Sequence, residues 1–221
     1  WSSMMSSSPF FILDTFRIAQ YENPLLKFHI QRTFEAIQFY HSALIKEDIL
    51  KLYRPFQLAT SKVDQKCRLV IDPQTISVIK SEMTPIDLLN DVIRLEYATH
   101  RQQTAGRGLQ NYKTSDRKYW DDNLSLRWPG TDDVIGINNL NYITETSRFN
   151  LFIKMQDQVY TPTLDSGCVN GCLRRSALTD GFVEINQIKY SLQEKDFTVD
   201  DVKNCEIYVG NSLRGITKAT L

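Results

Sequence analysis

An α+β fold in two domains is what this sequence predicts, and three observations carry that expectation. Segments with strand-like and helix-like patterning interleave, without the strict alternation that a doubly wound parallel sheet requires. The length of 221 residues suits one large domain or two smaller ones. No internal repeat, charge block or low-complexity linker breaks the chain, so the acidic stretch from Pro85 to Asp91 is the natural boundary. It separates a small α+β domain over residues 1–90 from a larger domain over 91–221, with Lys113 in the larger one.

The elements follow in order. A first strand is expected over Phe10–Ile18, after Pro9, and Asn23-Pro24 marks the turn that ends it. Leu26, Ile30, Phe34, Ile37 and Ala43 recur at helical spacing, which predicts an amphipathic helix from Leu25 to about Leu44. A second helix starts near Lys46 and is interrupted at Pro55. Two short strands, Cys67–Ile71 and Thr75–Ile79, flank Asp72-Pro73, and another runs from Val92 to Ala98. A polar helix is expected to begin near Lys113, then strands at Asp133–Ile137, Glu145–Ile153 and Gln158–Thr161. A helix over Cys172–Leu178 and strands at Glu206–Val209 and Ile216–Leu221 complete the chain.

Composition narrows the partners. With 26 basic and 26 acidic residues the formal charge is 26 − 26 = 0, against the positive excess that general nucleic-acid or anionic-membrane binding uses. The most apolar run, Phe10-Phe11-Ile12-Leu13, stops at Asp14, far short of the ~20 residues of a membrane-spanning helix. Cys67, Cys168, Cys172 and Cys205 are too few and too scattered for a disulfide framework, and His29, His41 and His100 lie too far upstream to complete a metal site with Cys168 and Cys172. The first eight residues lack the basic cluster of a signal peptide. A reducing, cytoplasmic setting and no metal are the resulting expectations.

Three segments could carry chemistry. Gly167-Cys168-Val169-Asn170-Gly171 opens a helix, and backbone N–H groups at such a turn suit a phosphate. Arg174 and Arg175 in the first helical turn oppose the macrodipole unless an anion docks there. Glu145 lies among hydroxyls before an apolar strand, where a carboxylate needs a partner, either a protonated ring nitrogen or a basic side chain such as Arg148. Lys113, in Tyr112-Lys113-Thr114-Ser115-Asp116-Arg117-Lys118-Tyr119, is not distinguished from Lys118 by spacing alone. Residue chemistry leaves these three open.

Taken in order, Glu145, Ser147, Asn150, Leu151, Phe152, Val159, Thr161, Val169, Gly171 and Arg174 resemble the signature of class IV pyridoxal-phosphate enzymes, the group of branched-chain and D-amino-acid aminotransferases and aminodeoxychorismate lyases. His29-Ile30-Gln31-Arg32 is similar to the group's His-x-x-Arg. The resemblance spans nearly the whole chain and implies fold type IV, with pyridoxal 5′-phosphate held between the two domains and a homodimeric assembly. It implies that Lys113 carries the cofactor covalently, Glu145 faces its ring nitrogen, and Arg32 with the backbone of Cys172 and Leu173 holds its phosphate. Asn211-Ser212-Leu213 resembles the lyase branch, and Asn211 and Ser212 are expected at the cofactor. The implied reaction converts 4-amino-4-deoxychorismate to 4-aminobenzoate and pyruvate, toward folate, with an aminotransferase or a non-catalytic relative as alternatives. Its substrate is a dicarboxylate, so Arg17, Arg107 and Arg214 are candidates for substrate recognition, with Thr15 as a further contact.

Overall fold

The computed structural model describes residues 10–221 apart from Ser42, Leu88 and Thr104; the readings made for Pro9 and the first eight residues fall outside the described residues. By its contacts the chain divides into two units. The first contains the residues up to Pro85 together with Lys113–Arg117, and the second contains Ile86–Tyr112 and Lys118–Leu221. A single cut near residue 90 with Lys113 on its C-terminal side is therefore replaced by a double crossing. The physical reason is backbone pairing: Leu13 N–H donates to the Lys113 carbonyl at 2.9 Å, and Ile12 bridges Thr114.

The first unit is built on three strands, β1 (Ile12–Ile18), β2 (Gln65–Asp72) and β3 (Ser77–Pro85), in that order and antiparallel throughout. Helices α1 (Leu26–Gln38) and α2 (Lys46–Tyr53) belong to the same unit. Helical spacing places His29, Ile30, Thr33, Ala36 and Ile37 of α1 on its buried face. Phe16 of β1 meets the rings of His29, Tyr53 and Phe56 with centroids at 5.6, 6.0 and 5.6 Å. Helix α1 stops at Gln38 rather than continuing to Leu44, because the next aromatic residues, Phe39 and Tyr40, leave the buried stripe and are exposed. Strand β3 continues past Ile79 to Pro85 although its outer residues are polar, since pairing from Val78 opposite Ile71 to Pro85 opposite Gln65 decides its length.

The second unit contains α3 (Lys118–Ser125), α4 (Cys172–Asp180) and nine strands: β4 (Val92–Tyr97), β5 (Asp133–Ile137), β6 (Ile143–Thr146), β7 (Asn150–Met155), β8 (Gln158–Thr161), β9 (Phe182–Ile185), β10 (Ile188–Glu194), β11 (Glu206–Asn211) and β12 (Gly215–Thr220). The sheet order is β11-β12-β4-β5-β6-β7-β8-β10-β9, and β11 pairs also with β7. That extra pairing closes β11, β12, β4, β5, β6 and β7 into a ring, which removes their free edges. Alternation along β7 sends Leu151 and Ile153 into the cluster with Ile93, Leu95, Ile135, Ile207 and Val209. Phe152, between them, joins a second cluster with Ala177 of α4, Val183, Leu192 and Tyr208.

Three local expectations change. The polar helix starts at Lys118, not near Lys113, because Lys113 and Thr114 lie alongside β1. The segment Glu145–Ile153 is two strands, broken where Phe149 N–H donates to the Thr146 hydroxyl at 3.0 Å and Thr146 N–H to the Phe149 carbonyl at 2.9 Å. The helix expected over Cys172–Leu178 extends to Asp180 and is followed by the β9–β10 hairpin, whose polar outer residues hide the alternation.

Candidate active site

In the second unit a single asparagine gathers the site. Ile135 pairs with Thr146 and Ile137 with Ile143, so two steps along β5 match three along β6. The extra residue is a β-bulge, which reverses the alternation of β6. Thr146 stays on the side of Ile135, and Glu145 falls on the opposite face, where it pairs with Asn150 of β7. The Asn150 amide Nδ2 lies 3.5 Å from Glu145 Oε2 and donates to the Val169 carbonyl at 2.8 Å. Glu145 is 7% exposed.

The other end of Asn150 sets the entry to α4. A Cβ placed on Gly171 would run into Asn150 Oδ1, so any other residue there would force the asparagine to shift. Gly171 is the N-cap of α4; it supplies no side-chain cap, and the first turn of the helix holds no acidic residue. Across β7, Gly210 of β11 pairs with Asn150, and a Cβ on Gly210 would meet Leu173 Cδ2 and Phe152 Cε2 at 3.0 Å. The bare backbone at Gly171 and Gly210 thus brings a buried carboxylate, a helix N-terminus and the end of β11 around one side chain. Such a helix N-terminus favours an anion.

The turn after β11 is fixed by Asn211, whose Oδ1 accepts the N–H groups of Leu213 and Arg214 at 3.1 and 2.9 Å and whose Nδ2 donates to the Arg148 carbonyl at 3.2 Å. Ser212 is half-buried in that turn. Arg174 is buried; it donates to Asn170 Oδ1 and the Pro162 carbonyl at 2.9 Å each and pairs with Glu194. Arg175 Nε donates to the Asn170 carbonyl at 3.0 Å. These contacts within the unit, rather than a docked anion, account for the two arginines at the start of α4. Cys168 is buried and its thiol is pushed up to about 12, chiefly by desolvation.

The first unit holds a second buried charge cluster. Asp14, fully buried on β1, accepts from His29 Nδ1 at 2.8 Å, Arg32 Nη2 at 2.5 Å, Tyr53 Oη at 2.5 Å and Thr15 N–H at 3.0 Å. Burial opposes its charge, but the charges of His29 and Arg32 and the hydrogen bonds from His29 and Tyr53 outweigh it, holding the carboxyl well below its ordinary 3.8. The His29/Arg32 spacing puts both side chains on one face of α1, where Asp14 collects them. Lys113 is half-buried and its backbone docks on Leu13, one residue before Asp14.

The proposed residues thus fall into groups. Lys113, Arg32 and Thr15 lie in the first unit around β1; Glu145, Cys172, Leu173, Asn211 and Ser212 lie in the second around Asn150 and its strand partners. Arg17 is exposed and paired with Asp64, and Arg107 is exposed with its Nε 2.8 Å from Asp165, so neither is gathered with its group. Arg214 is largely buried. Sequence reasoning assigned no role to Asp14 or Asn150. An acid inside Ile12-Leu13-Asp14-Thr15-Phe16 was the available signal for the first, since a buried carboxylate demands donors. Among the described residues no group of three metal-ligating side chains occurs, and no helix is long and apolar enough to cross a membrane.

Comparison with known proteins places this arrangement. The sequence model of the family described as amino-transferase class IV matches residues 12–221. A curated aminodeoxychorismate lyase of Vibrio harveyi is 34% identical over 85 residues, 38% of this chain and 30% of that protein; the match spans less than a third of that relative's length. Among solved structures, a hypothetical aminotransferase from Mycobacterium tuberculosis superposes with a TM-score of 0.74 at 15% identity, over 95% of this chain and 79% of the other. The 4-amino-4-deoxychorismate lyase from Pseudomonas aeruginosa gives 0.69 at 14% identity, over 99% and 87%. At such identities the two structures share the fold with this chain.

Proposed function

We propose a reaction for a chain that belongs to the amino-transferase class IV family, whose enzymes depend on pyridoxal 5′-phosphate: lysis of 4-amino-4-deoxychorismate to 4-aminobenzoate and pyruvate. The observation that carries the cofactor is the Asn150 junction. It joins a buried carboxylate to an uncapped helix N-terminus kept bare by Gly171, and these groups fit a protonated pyridine ring and a phosphate respectively. The lyase branch is supported by the Vibrio harveyi segment and by the Asn211-Ser212-Leu213 turn.

When bound, the cofactor supplies an electron sink for the carbanion left as a C–H bond breaks. The residues do the rest. Glu145 would hold a proton on the ring nitrogen. The N–H groups of Cys172 and Leu173, with Asn211 and Ser212, would position the phosphate. Lys113 Nζ would hold the cofactor and would move a proton from the substrate's ring carbon to the enolpyruvyl methylene as pyruvate leaves. Aromatisation supplies much of the driving force, so positioning and proton transfer are what this chain adds. The enzyme acts as a cytoplasmic homodimer on a small dicarboxylate.

A lyase assay coupled to pyruvate detection tests the reading. Wild-type protein supplied with pyridoxal phosphate is coloured and releases pyruvate and 4-aminobenzoate together, and Lys113→Ala loses both colour and turnover. A coloured protein that exchanges amino groups between an amino acid and a keto acid, and makes no 4-aminobenzoate, moves the assignment to an aminotransferase of the same family.

A further inference from the structure

Two arginines flank the Asn150 junction, each facing one acid at the long end of ion-pair range. Arg148 sits in the turn between β6 and β7, two residues before Asn150; Arg214 sits in the turn between β11 and β12, four residues after the Gly210 that pairs with Asn150. Asn211 ties the two turns together, donating to the Arg148 carbonyl and accepting the Arg214 N–H. The Arg214 side chain is 13% exposed, and among the described residues its buried Nε has no hydrogen-bond partner. Its acidic neighbour, Asp87, is 3.5 Å away and 66% exposed; the Arg148 Nε lies 3.6 Å from the buried Asp133, and its Nη2 lies 3.4 Å from the Asp132 carbonyl. The Arg148 charge acts on Arg214 as a like charge, lowering its affinity for its proton after desolvation has done the same. Two guanidinium groups held this way gain most from a shared anion, which a planar carboxylate bridges through its two oxygens.

We infer that Arg148 and Arg214 form a clamp for one carboxylate of an anionic substrate at this end of the second unit. The inference rests on the reading of the unit as an enzyme site, and it names a specificity device: a dicarboxylate satisfies the clamp while its amine reacts, whereas a simple amino acid has no second carboxylate to give it.

Isophthalate, a benzene dicarboxylate with no amino group, probes the clamp without reaction. Its affinity is measured by calorimetry on protein purified with pyridoxal phosphate, with benzamide as the comparison that carries no carboxylate. Isophthalate is expected to bind more tightly than benzamide, and Arg148→Met and Arg214→Met each to weaken it by about tenfold or more, the loss of a charge-assisted hydrogen bond. Arg127→Met, at an exposed arginine of the same unit, leaves it unchanged. Arg148 is 39% exposed, so its variant tests the clamp even where Arg214→Met fails to fold. Unaltered isophthalate affinity in Arg148→Met, or an equal loss in Arg127→Met, overturns the inference. A colourless wild-type protein overturns the cofactor reading instead, and arginine-dependent isophthalate binding in that protein still sustains the clamp.

Discussion

The two buried carboxylates, Asp14 in the first unit and Glu145 in the second, are set in opposite kinds of surroundings. Asp14 is surrounded by donors: a histidine, an arginine, a tyrosine and a backbone N–H all close on its two oxygens. Its charge is spent inside the unit, welding β1, α1 and α2 together. Glu145 is turned by a bulge onto the face of Asn150, beside a helix entry with no acid of its own. The first pattern holds its unit together, and the second is the one that the proposed cofactor reading uses. Burial of an acid therefore does not by itself mark a site.

The largest effect separates the two. Asp14→Ala leaves the buried Arg32 without its counter-charge and is expected to cost about 3–5 kcal/mol, read as a fall in the urea midpoint. The pH dependence sharpens the point. The folded carboxyl of Asp14 lies below its unfolded value of 3.8, so its contribution is fully present above that value and is lost as pH falls below it, when the unfolded chain takes up the proton first. Asp14→Asn should flatten the decline of stability as pH falls below 3.8, where the unfolded aspartate takes up its proton. An unchanged acid profile would remove Asp14 as its source.

Next come variants on the Glu145 side. Gly171→Ala places a methyl group against Asn150 Oδ1 and should cost about 1–3 kcal/mol by overpacking, while weakening pyridoxal phosphate binding in an absorbance titration. Asn150→Asp sets a second carboxylate beside Glu145 without changing volume. Its expected signature is weaker cofactor binding that recovers as pH is lowered, with a smaller loss of stability than for Gly171→Ala. If cofactor affinity is untouched by both, the second cluster is as structural as the first. The smallest effect belongs to Arg17→Ala, which breaks an exposed pair with Asp64 and should change the urea midpoint by less than about 1 kcal/mol.

The sequence carried the fold class, and the places where it did not reveal the structure have definite causes. Strand β5 and helix α2 were legible because each is bounded by its own apolar pattern and breakers. The joining of Lys113 to the first unit was not legible, since backbone pairing with Leu13 leaves no trace in side-chain pattern. The bulge in β6 was hidden for the same reason: it depends on a register against β5 that only the paired strands define. Glu145, Asn150 and Gly171 could be picked out as a set by resemblance, yet nothing in their spacing says that one asparagine touches both of the others. The guanidinium of Arg174 followed the macrodipole argument to an anion, but local carbonyls and Glu194 supply its partners.

Strand β7 is bonded along both edges, to β11 on one side and to β6 and β8 on the other, and Leu151, Phe152 and Ile153 are wholly buried. Its amides can meet solvent deuterium only when the ring itself opens, so their exchange should report the global unfolding of the second unit. Asn150 is the first residue of that strand. The side chain that aligns the carboxylate with the helix entry is thus anchored in the slowest-exchanging part of the unit, and its geometry persists through the local openings that loosen the turns around it.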